Sequence, residues 1–406
     1  MRKKLWIWLA LLPLALLVGG AKELERPPEL IGAFLRDGDL WLKEGRSERL
    51  VSALPDPIRK AAWSADGAWL AYETREPSYE IWAYRLKSDE SVRICKGCAD
   101  ARWSHRGAKL AYRADGEAYT IDLENGSGAA LDPVRRARGV GQLGWLPDDR
   151  GLLVSSLPLR RNGEWQPLTL SVVRLGAGVE SSTRPLFTLP APSEAFFAVS
   201  VSEFRWSPDG RWVAFVAEPT ASLSMDANSL CLLSADGTRF LTIGTMLSRE
   251  DWYRWAPRKN RIGFIDGEGR FEISNKRFEY RDAPAAGEPI LTPAGMMDLG
   301  FAWLSADAVV VPRAPELSWD EGPAPNATPS LYALDLKSGK AKRLTTPPTG
   351  SGDFNPDYIA SAGRLTWVRS TGPDRRPSDV WISTKRGANA SVFIRDVDAP
   401  PVWFDK

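Results

Sequence analysis

Residues 206–215 read WSPDGRWVAF, and this stretch decides the fold because close copies of it recur along the chain. Residues 63–72 read WSADGAWLAY, and residues 103–112 read WSHRGAKLAY. In each copy a strand that ends in Trp meets a turn that starts with Ser and ends with Gly, and a second apolar strand follows. Asp in such a turn bonds to its own backbone, and Gly takes the positive φ. Each copy therefore predicts a β-hairpin with a large hydrophobic side chain buried on one side.

Weaker copies of this hairpin continue the repeat. They start at Trp145, Trp255 and Trp303, and Phe354 takes the place of Trp in one more. A third strand with an aromatic residue and a shorter fourth strand follow the hairpins. Four strands in every 40–50 residues or so is the pattern of a propeller blade. The predicted fold class is all-β: a single β-propeller of four-stranded blades.

The two ends of the repeat region complement each other. The segment from Ile31 to Ser52 has the later strands of a blade but lacks the strand with the repeat Trp. Residues 400–404, PPVWF, supply such a strand where the next one is due. We expect this C-terminal strand to complete the first blade and close the ring, which removes its open edges. This arrangement predicts eight blades, or seven if the weak copies at Trp145 and Trp303 do not form separate blades.

The N-terminus has the pattern of an export signal. Three basic residues at 2–4 precede an apolar run from Leu5 to Val18, and small residues follow at 19–21. Residues 1–21 therefore predict a signal peptide or an N-terminal membrane anchor, residues 22–30 a linker and residues 31–406 the propeller. We expect an exported protein that is periplasmic, extracellular or tethered to the outer face of the cytoplasmic membrane. Contact with a membrane is expected only through the N-terminal segment.

The repeat resembles a known family. The pattern Trp-Ser-Pro-Asp-Gly-x-x-hydrophobic-Ala-Phe/Tyr is similar to the repeats of the TolB-type propeller, a WD-repeat-like group without the Trp-Asp dipeptide. The resemblance covers residues 31–404 and implies the fold. TolB has six blades and an α/β domain before them, and this chain matches neither feature. The resemblance therefore does not carry over TolB's role in the envelope-spanning Tol–Pal system.

Composition argues against several kinds of chemistry. A formal net charge of +2 over 406 residues does not favour nucleic-acid binding. The single His, His105, occupies a repeat turn and leaves little room for His-based catalysis or metal binding. Related propellers precede serine-peptidase domains, but this chain lacks their Gly-x-Ser-x-Gly elbow. We predict no catalytic residue, cofactor or metal. The alternative is an enzyme, a lyase or hydrolase with its site in the central channel, because carboxylates are plentiful.

Cys95 and Cys98 form the one short motif that needs interpretation. A zinc site would need two further ligands, for which Cys231 and His105 are a poor supply. A thioredoxin-like redox pair would need a helix N-terminus, whereas this motif ends a predicted strand. In an exported protein, a local disulfide between Cys95 and Cys98 is the favoured reading.

Long loops give the clearest indication of a binding surface. The turns between strands one and two and between strands three and four are mostly short. The long insertions, such as Leu157 to Pro167 and Pro312 to Pro329, fall mainly in the two–three loops and the blade connections. These share one face of a propeller, and loops that grow on a rigid scaffold usually carry function.

Arg and aromatic residues in these segments are typical of interfaces. The alternative is that the aromatic residues fold back on their own loops and the arginines are solvated. We expect Arg135, Arg136 and Arg138 to lie in a blade connection, next to Arg160 and Arg161. The predicted partner is a protein, a peptide or an anionic envelope polymer. The candidate partner-binding residues are Arg135, Arg136, Arg138, Arg160, Arg161, Trp165, Phe196, Phe197, Trp319, Arg375 and Arg376.

Overall fold

The computed structural model describes residues 30–124, 132–176, 181–284, 290–322, 324–372 and 378–405. These residues form an eight-bladed β-propeller, which confirms the predicted fold class and the larger of the two blade counts. Within these ranges, helix is limited to one turn, Ala221–Ser224, and a 3₁₀ turn, Glu250–Trp252. The segments predicted as signal peptide or anchor and as linker lie, except for Leu30, outside the described residues.

We number the blades along the chain and call the strands of each blade A to D from the channel outward. Blade 1 consists of Val402–Trp403, Ile31–Arg36, Asp39–Glu44 and Ser47–Ser52, and blade 2 of Ile58–Trp63, Trp69–Thr74, Glu80–Arg85 and Glu90–Lys96. Blade 3 consists of Cys98–Trp103, Lys109–Ala114, Glu117–Asp122 and Val134–Arg138, and blade 4 of Val140–Trp145, Gly151–Ser156, Thr169–Leu175 and Ser181–Thr188. A small hairpin, Arg160–Arg161 with Glu164–Trp165, extends blade 4.

Strand A is split in blades 5 and 7, and the described part of blade 6 has three strands. Blade 5 consists of Ser200–Val201 with Arg205–Trp206 as strand A, then Trp212–Glu218, Asn228–Ser234 and Phe240–Met246, and blade 6 of Tyr253–Trp255, Arg261–Asp266 and Arg277–Asp282. Blade 7 consists of Met296–Asp298 with Ala302–Ser305 as strand A, then Ala308–Pro315, Ser330–Asp335 and Ala341–Arg343. Blade 8 consists of Gly352–Ile359, Arg364–Ser370, Ser378–Thr384 and Ser391–Val397.

The Ser-Pro-Asp-Gly turn is held by its own side chains. Asp209 Oδ1 accepts hydrogen bonds from Ser207 Oγ at 2.7 Å and from the Arg211 N–H at 3.0 Å. Ser207 Oγ in turn accepts from the Trp212 N–H at 3.0 Å. Partial burial opposes ionisation of Asp209, but these bonds and those from the Arg211 and Asn260 side chains lower its pKa. The turn therefore fixes the hairpin locally, as its residue types predict.

The repeat Trp side chains join neighbouring blades. Trp206 Nε1 donates a hydrogen bond to the carbonyl oxygen of Trp145, in strand A of the preceding blade, at 2.8 Å. The equivalent bonds, all between 2.8 and 3.1 Å, are those of Trp63 to Val402, Trp103 to Ala62, Trp145 to Arg102, Trp255 to Arg205 and Trp303 to Arg254. The weak copies at Trp145 and Trp303 thus make the same inter-blade bond as the strong ones.

The C-terminus closes the ring. Strand Val402–Trp403 pairs antiparallel with Ile31–Arg36, with Gly32 opposite Trp403. A Cβ atom at Gly32 would lie 2.3 Å from the Trp403 ring, so only Gly allows this approach. Blade 1 is therefore built from both ends of the repeat region, which confirms the predicted closure.

Cys95, near the end of strand D of blade 2, and Cys98, at the start of strand A of blade 3, are joined by a disulfide. This is the local pairing that the sequence favours. Cys231 is a free, fully buried thiol whose pKa desolvation raises to about 12. At neutral pH it is therefore an unreactive core residue.

Candidate binding surface on the long-loop face

The two faces of the ring differ in their loops. The B–C loops and the connections between blades lie on one face, which we call the long-loop face, and the A–B and C–D turns lie on the other, the turn face. The longest described B–C loops belong to blades 4 to 7 and are residues 157–168, 219–227, 267–276 and 316–329.

The first group of predicted arginines is not in a loop. Arg135, Arg136 and Arg138 lie in strand D of blade 3, so their expected place in a blade connection is wrong. The C–D segment of this blade, residues 123–133, precedes that strand and leaves a connection of one residue, Gly139. Arg135 and Arg138 pair with Glu117 of strand C at 3.6 and 3.2 Å, and Arg136 Nε donates to Thr120 Oγ1 at 2.8 Å.

The hairpin of blade 4 carries the second group. Arg160 and Arg161 are exposed in the B–C loop. The Arg160 guanidinium lies 5.0 Å from the centre of the Trp165 ring and donates to the Gly163 carbonyl at 2.6 Å. Arg160 and Trp165 thus contact each other within their own hairpin.

Phe196 is buried, which corrects its prediction as an exposed partner-binding residue. Its side chain is 8% exposed and packs edge-on against Phe240, with ring centres 5.8 Å apart. The connection between blades 4 and 5 lies over strand D of blade 5 and needs an apolar anchor there. Phe197 is half-buried beside it. Arg375 and Arg376 lie outside the described residues.

Trp319 is the predicted aromatic residue that the structure leaves exposed. It lies in the B–C loop of blade 7 and is 37% exposed. Its ring packs edge-to-face with that of Phe271, with ring centres 4.6 Å apart. Phe271, in the B–C loop of blade 6, is also 37% exposed. Leu223 and Met225, in the loop of blade 5, are 52% and 56% exposed. Sequence reasoning flagged the loops of blades 5 and 7 but missed Phe271, whose neighbours on the surface are separated from it in sequence.

Hydrogen bonds tie these three loops into one surface. The Gly269 N–H donates to the Asp226 carbonyl at 2.7 Å, which joins the loops of blades 6 and 5. The Leu317 N–H donates to the Ile273 carbonyl at 2.7 Å, which joins blade 7 to blade 6. The surface formed by Leu223, Met225, Phe271 and Trp319, which we call the apolar patch, is therefore ordered before any partner binds.

A cleft of about 400 Å³ opens beside the apolar patch, lined by Met225, Phe271 and the segment from Ala324 to Ala327. Its charged residues are paired. Arg270 bonds the Asp226 carboxylate at 3.0 Å, and Arg249 pairs with Glu272. The cleft thus combines apolar and polar side chains, and its charges are paired.

The loop of Phe271 is anchored by a buried cation. Lys276 is 1% exposed, and its Nζ donates to the Glu268 carbonyl at 2.6 Å, the Ser274 carbonyl at 3.1 Å and Asn275 Oδ1 at 2.8 Å. Desolvation lowers the pKa of Lys276 to about 8, although nearby acidic residues oppose the shift. Burial of this amine closes the base of the loop and presents Phe271 outward.

The central channel, where the alternative enzyme site was predicted, is crossed by ion pairs. Lys60 of blade 2 pairs with Glu250 at 3.1 Å, Arg102 of blade 3 with Glu203 of blade 5 at 3.5 Å, and Arg254 of blade 6 with Asp357 of blade 8 at 3.6 Å. These pairs join blades that are not neighbours.

The pKa values of the channel acids differ. Desolvation raises the pKa of Asp357 more than Arg254 lowers it. Desolvation also opposes ionisation of Glu203, but three nearby cations outweigh it and lower the pKa. Within the described ranges, no group of three or more His, Cys, Asp or Glu side chains could hold a metal ion.

Comparison with known proteins supports the fold. No protein-family model and no curated protein sequence matches the chain. Among solved structures, one match is the dihydro-heme d1 dehydrogenase NirN in complex with DHE. The matched region covers 97% of this chain and 78% of the NirN chain, with a TM-score of 0.60 and 13% sequence identity. Porphyromonas gingivalis dipeptidyl peptidase 4 matches 91% of this chain with a TM-score of 0.57 and 11% identity. TolB from Acinetobacter baumannii matches 63% with a TM-score of 0.41 and 18% identity.

These identities show the fold alone. The chain spans 61% of the TolB chain and 60% of the dipeptidyl peptidase chain. The repeats and the eight closed blades define the class: a β-propeller built from repeats that resemble the TolB type. In the part of the chain that the structure describes, no helix has both the length and the apolar character needed to cross a bilayer.

Proposed function

We propose that this chain is an exported, cell-envelope binding or scaffold protein that engages a peptide segment of a protein partner at the apolar patch. The observation that carries the proposal is the exposure of four large apolar side chains together on one face, beside a cleft. Contiguous exposed apolar groups on a soluble protein mark interaction sites. A surface that is already ordered loses less entropy on binding.

Charge favours a peptide over the anionic polymer that the sequence left open. A polyanion needs unpaired positive charge, and both arginines at the cleft already face a carboxylate. An apolar anchor residue in the cleft, flanked by polar groups at the rim, is the arrangement of a protein interface hot spot.

The test is a selection of peptides from a random displayed library on the immobilised full chain. We expect the selected peptides to contain an aromatic or large aliphatic anchor. The double variant Phe271→Ser/Trp319→Ser should weaken their binding at least about tenfold, since a buried anchor contributes 1.4 kcal/mol or more. Fluorescence polarisation of labelled peptides measures the change.

The matched control is Leu157→Ser/Leu159→Ser, because these residues are 43% and 49% exposed in the B–C loop of blade 4 on the same face. Binding should be unchanged in this variant. If the control loses binding and Phe271→Ser/Trp319→Ser retains it, the apolar patch is the wrong site. If neither variant alters binding, the long-loop face is the wrong surface.

A further inference from the structure

A second cavity lies on the turn face, away from the apolar patch. It occupies about 550 Å³ at the mouth of the channel and is bordered by blades 3, 4 and 5. The ends of their A strands and the following turns line it, including the repeat residues Trp103, Trp145 and Trp206. Its size is within the range of small-ligand sites.

Positive charge is in excess at this cavity. Arg102, Arg106 and Arg205 line it, against the carboxylates of Glu203 and Asp209. The Asp209 charge is already engaged by Arg211, with further bonds from Ser207 and Asn260. Glu203 is the remaining anion of the lining, and its nearest cations are Arg102, Arg205 and Lys60.

Glu203 does not satisfy these cations. Its oxygens lie 3.5 Å from Arg102 Nε and 3.9 Å from Arg205 Nη2, beyond good hydrogen-bond distance. The Arg102 side chain is 10% exposed, and its buried Nε has no hydrogen-bond partner. A buried guanidinium donor without an acceptor is costly, and the Arg102 charge is only partly neutralised.

Arg106 stands free at the rim. It is exposed, and within the described residues no acid or acceptor pairs with its guanidinium. It follows the repeat Trp by three residues, in the A–B turn. Arg258 of blade 6 holds the same turn position and is also exposed, but it does not line the cavity.

We infer that the turn-face mouth of the channel binds a small ligand with an anionic head, a phosphate or a carboxylate, on a flat apolar body. Arg106 is free to pair with the anionic oxygens. Arg102 and Arg205, which also donate to the Ala101 and Tyr253 carbonyls, add positive charge beside it. The tryptophan-lined wall suits the flat body. This site is independent of the apolar patch and of the peptide proposed there.

Titration calorimetry on the full chain tests this site with four probes: phenyl phosphate, benzoate, inorganic phosphate and phenol. Saturable binding of phenyl phosphate or benzoate is expected, and the stronger of the two shows which head the site prefers. Inorganic phosphate should bind more weakly because it lacks the body, and phenol should not bind because it lacks the charge. Equal binding of phenol, or no saturable binding of either aryl anion at millimolar concentration, would overturn the inference.

Variants locate the site. Arg106→Gln should weaken binding of the aryl anion about tenfold without lowering the melting temperature, because Arg106 is exposed and unpaired. Glu203→Gln should strengthen binding, because it removes the opposing charge. Arg258→Gln is the matched control and should leave affinity unchanged. An equal loss in Arg258→Gln and Arg106→Gln would show non-specific charge attraction and refute the site.

Discussion

Trp206 packs against the core between blades 4 and 5 and donates its indole N–H to the Trp145 carbonyl, 2.8 Å away. One side chain thus buries apolar surface in its own hairpin and bonds to the preceding blade. Neither Phe nor Leu can do both, because they lack a donor. Six of the 18 Trp residues make such a bond between neighbouring blades.

At the residue scale we expect Trp206→Ala to lower the free energy of unfolding by about 3–5 kcal/mol, as for other large-to-small core changes. Trp206→Phe keeps most of the volume and loses the hydrogen bond, at about 1 kcal/mol. Unfolding in urea measures both. Trp165→Ala, on the exposed hairpin of blade 4, is the control and should cost less than about 1 kcal/mol. A Trp206→Ala loss below that of the control would contradict a core role.

At the scale of elements, the B–C loop of blade 6 depends on two residues at its base. Gly267 has φ +130°, and a Cβ there would lie 2.1 Å from the Asn275 carbonyl oxygen. The amine of Lys276 lies inside the loop and donates hydrogen bonds to three acceptors, the Glu268 and Ser274 carbonyls and Asn275 Oδ1. Phe271 is exposed because polar groups, rather than apolar ones, occupy the loop interior.

The low pKa of Lys276 gives a pH dependence with a defined sign. The folded chain releases this proton near pH 8, whereas an unfolded chain holds it to about pH 10.5. Between these values the unfolded state binds more protons, so this group makes the folded state more stable as pH rises. The urea-unfolding free energy of wild type should therefore rise relative to that of Lys276→Met between pH 8 and 10.

The variant also tests the loop itself. Lys276→Met leaves three acceptors without a donor, so amide exchange around Phe271 should quicken. The same change at the exposed Lys340 is the control and should alter neither the exchange nor the pH slope. An identical slope in wild type and Lys276→Met would show that the amine does not titrate as the burial implies.

At the scale of the whole molecule, the ring is closed by its last strand, Val402–Trp403. Trp403 is 8% exposed and packs in the cluster that joins blades 8 and 1. Val402 accepts the indole hydrogen bond of Trp63 in blade 2. The last strand thus holds three blades in place.

Deleting residues 402–406 should expose the edge strand Ile31–Arg36 and lower the melting temperature, with aggregation as the open edge pairs between molecules. Loss of the Trp403 side chain alone is expected to cost about 3–5 kcal/mol. Differential scanning calorimetry and light scattering measure the two effects, and deletion of residue 406 alone is the control. A melting temperature equal to that of the control would rule out closure through this strand.

The candidate sites were less predictable than the fold. Arg135, Arg136 and Arg138 read as a connection because their segment carries no apolar alternation, yet they form an outer strand paired to strand C. Phe196 reads as an exposed loop residue, yet it packs on Phe240. Phe271 carries no signal in its own segment, because its exposure depends on the neighbouring blades.

The sequence by itself determined the hairpins, the repeat and the closing strand, because turn chemistry and strand alternation act over a few residues and recur at each blade. It left eight or seven blades open, and the structure decided for eight. Only the tertiary structure decided which loop residues meet. Leu223, Met225, Phe271 and Trp319 come from three blades, and the arginines of the turn-face cavity come from two. Their meeting depends on the closure of the ring, since only closure sets the order and spacing of the blades around the channel.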